Sequence, residues 1–148
     1  MDLILWRHAD AEDGMPDEAR RLTPKGRKQA KKAAAWLSAH LPAGYRVIVS
    51  PSVRTRETAA ALTEKAVIEK AVSTSATPQG VLKAAGWPDA AGAVIVVVGH
   101  QPTLGAAAAL ALTGEAAAWS LKKGAFWWIA RDADGEVQVR AVLAPAIL

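Results

Sequence analysis

Three short stretches hold the side chains best able to do chemistry: Arg7-His8, Ser50-Pro51-Ser52-Val53-Arg54 and Gly99-His100. Two guanidiniums offer forked donors that match the oxygens of a phosphoryl group. A neutral imidazole is a competent nucleophile toward phosphorus. A second imidazole, if protonated, would stabilise the equatorial oxygens of the transition state. Gathered in one place, the set suits phosphoryl transfer through a phosphohistidine, and that chemistry requires no metal. A metal centre is the natural rival for a histidine pair. Zinc usually takes three protein ligands, however, and the adjacent arginines would repel a cation. The chain has no Cys, which excludes disulfides, thiolate metal sites and a cysteine nucleophile. No P-loop or Gly-rich nucleotide fingerprint follows any apolar run.

These residues meet only if the elements before them are neighbours. Leu3-Ile4-Leu5-Trp6 reads as a buried strand that stops at Arg7-His8. Residues 9–21 are polar and contain Gly14 and Pro16, the composition of a loop. Thr23-Pro24 has the form of an N-cap with proline at the first helical position. Ala30, Ala33, Ala34, Leu37 and Leu41 continue at helical spacing until Pro42 and Gly44. Arg46–Val49 is a second strand, closed by Ser50-Pro51, and a helix is expected over 52–64. Val72–Ser75 is expected as a short third strand. Thr77-Pro78 opens a short helix that Gly86-Trp87-Pro88 ends. Ala93–Val98 is the strongest strand pattern; Gly99-His100-Gln101-Pro102 then turns into an Ala-rich helix to about Leu112. Gly124–Ala130 and Val137–Val142 read as strands joined across the turn Asp132-Ala133-Asp134-Gly135.

Strand–helix alternation of this kind implies an α/β domain, a three-layer α/β/α arrangement with a mostly parallel central sheet and an antiparallel hairpin at the end. Open sheets of this class place their sites beyond the carboxyl ends of the strands, where Arg7, His8, Arg54 and His100 all fall. The helices expected after Ser50 and Pro102 would add backbone donors for an anion.

Length and composition agree. The 148 residues suffice for one domain, 1–148, with a real core. Apolar residues make up 51% and charged residues 22%, as in a folded domain. No apolar run is long enough to span a membrane, and no basic leader precedes Leu3, so a cytoplasmic protein, monomeric by default, is expected. The net charge of +4 is unevenly placed. Residues 1–19 include Asp2, Asp10, Glu12, Asp13, Asp17 and Glu18, whereas residues 20–32 hold seven bases and no acid. That basic run is a solvated helix face, a docking surface for an acidic partner, or a nucleic-acid contact. The last lacks interleaved aromatics on which bases would stack, and no nucleic-acid or membrane partner is expected.

The motifs together carry a resemblance. Leu5-Trp6-Arg7-His8-Ala9 resembles the signature of the histidine phosphatase superfamily, the phosphoglycerate-mutase-like fold. Ser50-Pro51-Ser52-Val53-Arg54-Thr55-Arg56-Glu57-Thr58-Ala59 is similar to its second motif and Val98-Gly99-His100 to its third. The chain is most similar to the short SixA-type phosphohistidine phosphatases, with Arg20-Arg21-Leu22-Thr23-Pro24-Lys25-Gly26, Lys123-Gly124 and Pro145 adding to the likeness. The resemblance implies that His8 is the nucleophile that becomes phosphorylated. It also implies that Arg7, Arg54 and His100 clamp the phosphoryl group, and that no metal or organic cofactor takes part. The implied substrate is a phosphorylated protein, a histidine phosphotransfer domain or a phosphotransferase-system carrier. A broad small-molecule phosphomonoesterase and a non-catalytic phosphate-binding module are the alternatives.

The sequence departs from the family pattern at Ala9, where a glycine is usual, and at Thr74-Ser75-Ala76-Thr77-Pro78, where ester-cleaving members carry a Glu. A methyl at position 9 costs little if the backbone there avoids positive φ. The missing acid is informative. An alkoxide is a strongly basic leaving group, water's own pKa of about 15.7 being a guide, while imidazolium has a pKa of about 6.5. A phosphohistidine thus releases its leaving group without a strong acid beside it. Asp10, Glu12 and Asp13 are near enough in sequence to supply one. Among the remaining residues, Ser50 is expected to anchor its turn, His40 to cap a helix, and Arg56 to pair with Glu57 or Glu64. Arg20 and Lys123 are either rim residues or solvated ones.

Overall fold

The computed structural model describes all 148 residues. Ten elements follow in order: β1 (Asp2–Arg7), α1 (Pro24–His40), β2 (Arg46–Val49), α2 (Val53–Ala60), β3 (Val67–Ile68), α3 (Pro78–Ala85), β4 (Val94–Gly99), α4 (Thr103–Thr113), β5 (Phe126–Arg131) and β6 (Val137–Leu143). They form one six-stranded sheet in the order β3-β2-β4-β1-β5-β6. The pairs β3/β2, β2/β4 and β4/β1 are parallel, and β1/β5 and β5/β6 are antiparallel. The expected α/β architecture, mostly parallel with a closing hairpin, is therefore the one observed.

The period-two alternation of a strand sorts the apolar residues into two cores. Leu3, Leu5, Ile95, Val97 and Ile129 face the layer of α3 and α4. Ile4, Trp6, Val96, Val98, Phe126 and Trp128 face the layer of α1 and α2, where Ala33, Ala34 and Leu37 meet them. β1 and β4 are sandwiched on both sides, which is why they read as unbroken apolar runs. Truncating Leu5 or Leu37, both fully buried, to alanine would cost about 2–5 kcal/mol.

Local chemistry sets the helix ends. The Thr23 hydroxyl accepts from the Gly26 amide at 2.9 Å with Pro24 in the first turn, and Thr77 caps α3 the same way. Gly86, at φ 78°, stops α3 in the left-handed conformation that glycine adopts without strain. His40 ends α1, exposed, with its Nδ1 2.7 Å from the Trp36 carbonyl and its ring stacked on Trp36 at 3.9 Å.

Two expected elements differ. The third strand is Val67–Ile68, not Val72–Ser75. Val72 instead closes a 3-10 turn over 70–72 and inserts its side chain into the α3/α4 core. Its apolar character reports one buried residue, while exposed Val67 and Ile68 pair with the edge of β2. The helix expected over 52–64 ends at Ala60: the amides of Ala61 and Leu62 turn back to Thr58 and Ala59, bringing Leu62 against the core. On β5, Trp128 packs into the α1/α2 core and Trp127 stacks on Trp119 at 5.3 Å on the other face.

Candidate active site

The parallel register brings the three motifs to one edge. Arg7 lies opposite Gly99 and Val49 opposite Val98, so His8, Ser50 and His100 all emerge just beyond the carboxyl ends of adjacent strands. Backbone bonds extend the ladder to them, from His8 N to Gly99 O and from Ser50 N to Val98 O, each 3.1 Å. The imidazoles of His8 and His100 stand 5.5 Å apart between centroids, tilted by 60°. One phosphoryl group could touch both. A pocket of about 300 Å³ opens there, lined by Arg7, His8, Arg54 and His100 together with Ala11, Asp13, Arg20, Thr74, Gln101, Pro102, Thr103 and Lys123. All four residues singled out from sequence thus meet in one hollow.

His8 is buried and its Nδ1 lies 2.7 Å from the Ala9 carbonyl. A carbonyl only accepts, so Nδ1 carries the proton and, in the neutral ring, Nε2 keeps a free lone pair. Burial pushes the His8 pKa down to about 4; the Ala9 bond opposes this, and Arg54, Arg7 and Arg20 reinforce it. His8 is therefore neutral at pH 7. The segment behind it is pinned on several sides: Gly124 N donates to His8 O at 3.0 Å, Trp6 Nε1 to Gly124 O at 3.0 Å and Ala9 N to Thr58 Oγ1 at 3.1 Å. Gly124 has φ 75°, and a side chain there would also strike Pro145. Ala9 does not take positive φ, so its methyl is accommodated.

His100 is held through Nε2, 2.8 Å from Ser50 Oγ. Burial, then the neighbouring His8 and Arg54, lower its pKa to about 3, with Asp17 opposing. The pocket thus holds two imidazoles whose pKa values are lowered, and a bound dianion is what would favour protonation of His100. Ser50 does more than anchor a turn. If its hydroxyl donates to Nε2, the ring proton sits on Nδ1. Sequence reading missed this partnership, which joins residues 50 positions apart; its only trace was a polar residue at each strand end.

The arginines are the most telling feature. Arg7 Nη1 donates to Leu121 O at 2.8 Å. Arg54 Nη1 donates to Asp17 O at 2.8 Å and Nη2 to Asp17 Oδ2 at 3.0 Å. Yet Arg7 Nε and Arg54 Nε are buried with no partner. The other such group is Trp127 Nε1, outside the pocket. Buried donors are almost always satisfied, and both orphaned N–H groups belong to arginines that line the pocket. Burial also lowers the pKa of Arg7 from its ordinary value.

Some of the expected helix-terminal donors are occupied. Leu104 N bonds His100 O and Gly105 N bonds Gln101 Oε1 at the start of α4. Arg56 N bonds Ser52 O, and Thr55 N faces Ser52 Oγ at 3.4 Å, at the start of α2. Arg20 and Lys123 both line the pocket, Lys123 with its ammonium 2.8 Å from Asp10 Oδ1. Those hydrogen bonds, from Lys123 first and Thr23 second, hold the Asp10 carboxyl below its usual range. Arg56 does not pair with Glu57, which is bound by Arg27 at 3.2 Å and by the Leu22 amide; Arg56 projects into solvent. No cluster of three or more His, Asp or Glu side chains suited to a metal ion is present, and no helix is long and apolar enough to cross a membrane.

Residues 3–75 match the family model described as the histidine phosphatase superfamily (branch 1). The chain belongs to the histidine phosphatase superfamily. Its architecture is that of the SixA type. The proposed phosphohistidine phosphatase SixA from Nakamurella multipartitia superposes with a TM-score of 0.77 at 29% identity, covering 97% of this chain and 95% of that one. The protein histidine phosphatase SixA complexed with tungstate superposes with a TM-score of 0.82 at 23% identity, covering 99% of each chain. An uncharacterized protein of Mycobacterium leprae (strain TN) is 35% identical over 106 residues, 69% of this chain and 63% of the relative. The match therefore spans less than two thirds of that relative's length.

Proposed function

We propose that this protein is a phosphatase that removes the phosphoryl group from phosphohistidine on another protein, through a covalent intermediate on His8. The observation that carries the reading is the pair of unpartnered buried donors, Arg7 Nε and Arg54 Nε, beside a histidine whose Nδ1 is committed to a carbonyl. In the first step His8 Nε2 attacks phosphorus. The new P–N bond forms as the substrate's P–N bond breaks; the electron pair returns to the substrate ring, which already carries a proton on its other nitrogen and so leaves as neutral imidazole. In the second step water attacks phosphorus, the bond to His8 breaks, and inorganic phosphate departs with the water's protons while His8 regains its starting tautomer. Arg7, Arg54 and His100 neutralise the charge on the transferring group throughout.

The leaving group fits the carboxylates present. Asp10 is tied to Lys123 and Thr23, and Asp17 to Arg20 and Arg54. Thr74 takes the lining position where an ester-cleaving relative would be expected to offer its acid. The tungstate complex of the SixA protein concerns a tetrahedral oxyanion of the same class, which supports an anion site of this size. Asp13, the one carboxylate among the lining residues, favours the second reading, a small-molecule phosphomonoesterase. A histidine phosphotransfer domain or a phosphotransferase-system carrier is the partner class the reading implies, met by a monomer in the cytoplasm.

The test is a panel of phosphohistidine proteins and phosphoesters, run with and without chelator, combined with acid-quench trapping. Faster turnover of phosphohistidine, unchanged by chelator, with acid-labile phosphate on His8, is the expected result. Preference for sugar phosphates would replace it with the second reading. Tight phosphopeptide binding without turnover would point to a binding module instead.

A further inference from the structure

The buried guanidinium of Arg54 does not hold itself in place. Its side chain rises from the first turn of α2 and could rotate about its terminal bonds. Two contacts define its plane, and both come from Asp17, a residue 37 positions earlier in the loop between β1 and α1: Nη1 to the Asp17 carbonyl and Nη2 to Asp17 Oδ2. The other carboxylate oxygen, Oδ1, accepts from Arg20 Nε and lies 3.0 Å from Arg20 Nη2. Arg20 in turn donates through Nη1 to Glu12 O. One carboxylate thus uses one oxygen on the buried arginine and the other on a rim arginine, and Arg54 Nε is left buried without a partner. We propose that Asp17 is a positioning residue: its carboxylate fixes the plane of Arg54, which lines the pocket, and it couples that plane to Arg20 at the rim.

Asp17 is suited to this and unsuited to acid catalysis. Its own burial would raise its pKa, but the hydrogen bonds from Arg20 and Arg54 outweigh that and keep the carboxyl below its usual range. It is an acceptor at working pH, not a proton donor. It is also half-exposed, with 52% of its side chain accessible against 4% for Arg54. Because Arg54 is buried, losing its carboxylate partner also costs stability, and the test must separate that loss from a loss of aim. The consequence is large because a misplaced donor sacrifices much of its effect on a transition state: a displacement of about 1 Å can cost about 10²-fold.

The inference rests on the phosphatase reading for its kinetic form, and its test separates the two. Asp17→Asn and Asp17→Ala remove the same charge, but only the first retains an oxygen that Arg54 Nη2 can reach. The comparison between them therefore isolates position from charge. Asp17→Asn is expected to keep kcat at least about ten-fold above Asp17→Ala, with KM differing by less than about three-fold. Equal kcat values in the two variants overturn the proposal, as does a deficit that tracks their thermal unfolding midpoints. Should Asp17→Ala fail to fold, Asp17→Ser, too short to reach Arg54, takes its place. If the wild-type protein turns over no phosphoryl compound, the phosphatase reading falls and binding of inorganic phosphate becomes the readout. Asp17→Ala then binds phosphate about ten-fold more weakly than Asp17→Asn, and equal affinities overturn the positioning role.

Discussion

The cations of α1 and two of the pocket's arginines, Arg7 and Arg54, carry the same charge in unlike surroundings. Lys25, Arg27, Lys28, Lys31 and Lys32 line the outer surface of α1, all exposed, and Arg27 closes on Glu57. Arg54 is almost fully buried, Arg7 is partly so, and each keeps an unpartnered Nε. Between unit charges 4 Å apart, the interaction is about 1 kcal/mol in water and about 4 kcal/mol at the effective dielectric of a protein surface. Exposed lysines are also free to reorient, whereas the pocket arginines are bound to Leu121 and Asp17. The net charge of the chain is therefore a weak guide to its chemistry. What matters is which charges are desolvated, held and left with a donor to spare.

Removing groups from the two regions should separate them sharply. His8→Ala is expected to abolish the acid-labile phosphoenzyme and lower turnover by at least about 10³-fold, measured by acid-quench trapping and steady-state kinetics, because no other group supplies the nucleophile. Arg54→Ala should lower kcat/KM about 10²–10³-fold. Arg54→Lys should recover little of it, since an ammonium cannot reproduce the planar, two-pronged contact with Asp17. Ser50→Ala, which leaves His100 Nε2 without its partner, should reduce kcat about three- to ten-fold with little change in KM. Replacing Lys28, Lys31 and Lys32 together by Gln should leave kcat/KM on a small phosphoryl substrate within about two-fold at physiological salt. A loss on that variant as large as for Arg54→Ala would erase the distinction.

Acid should sharpen it further. His8 and His100 stay neutral in the folded protein down to pKa values of about 4 and about 3, while in the unfolded chain they titrate near their ordinary value of 6.5. Between those values the unfolded state binds more protons, so stability must fall as pH drops below about 6.5. Asp10 and Asp17, whose folded pKa values are depressed, add losses in the same direction at lower pH. The melting temperature should decline from pH 6.5 toward pH 4 in the wild type and less steeply in His100→Gln. Activity of the free enzyme should hold over most of that range and fail only as His8 protonates near pH 4. A slope unchanged in His100→Gln would show that His100 is not the group taking up the proton.

Much of the fold was legible because β1 and β4 are covered on both faces and so appear as unbroken apolar runs. Thr23-Pro24, Thr77-Pro78 and Gly86 announced helix ends through capping chemistry that acts over a few residues. The third strand was not legible. Val67 and Ile68 are exposed on a two-residue edge, whereas Val72, a buried residue in a 3-10 turn, has the character expected of a strand. The site divides the same way. His8, Arg7, Arg54 and His100, which line one pocket, could be singled out because each lies at or shortly after a strand end. Ser50's hold on His100 and Asp17's hold on Arg54 were not, because they join residues 50 and 37 positions apart.

Sequence alone determined which chemical groups are available, which segments must be buried, and that three strand ends carry the polar residues. Those properties follow from side-chain type and local periodicity. Tertiary structure alone decided which imidazole nitrogen is free, which guanidinium N–H groups have no partner and which loop carboxylate holds Arg54. Such facts depend on distances between segments remote in the chain, and on burial that only the assembled sheet and its two helical layers create.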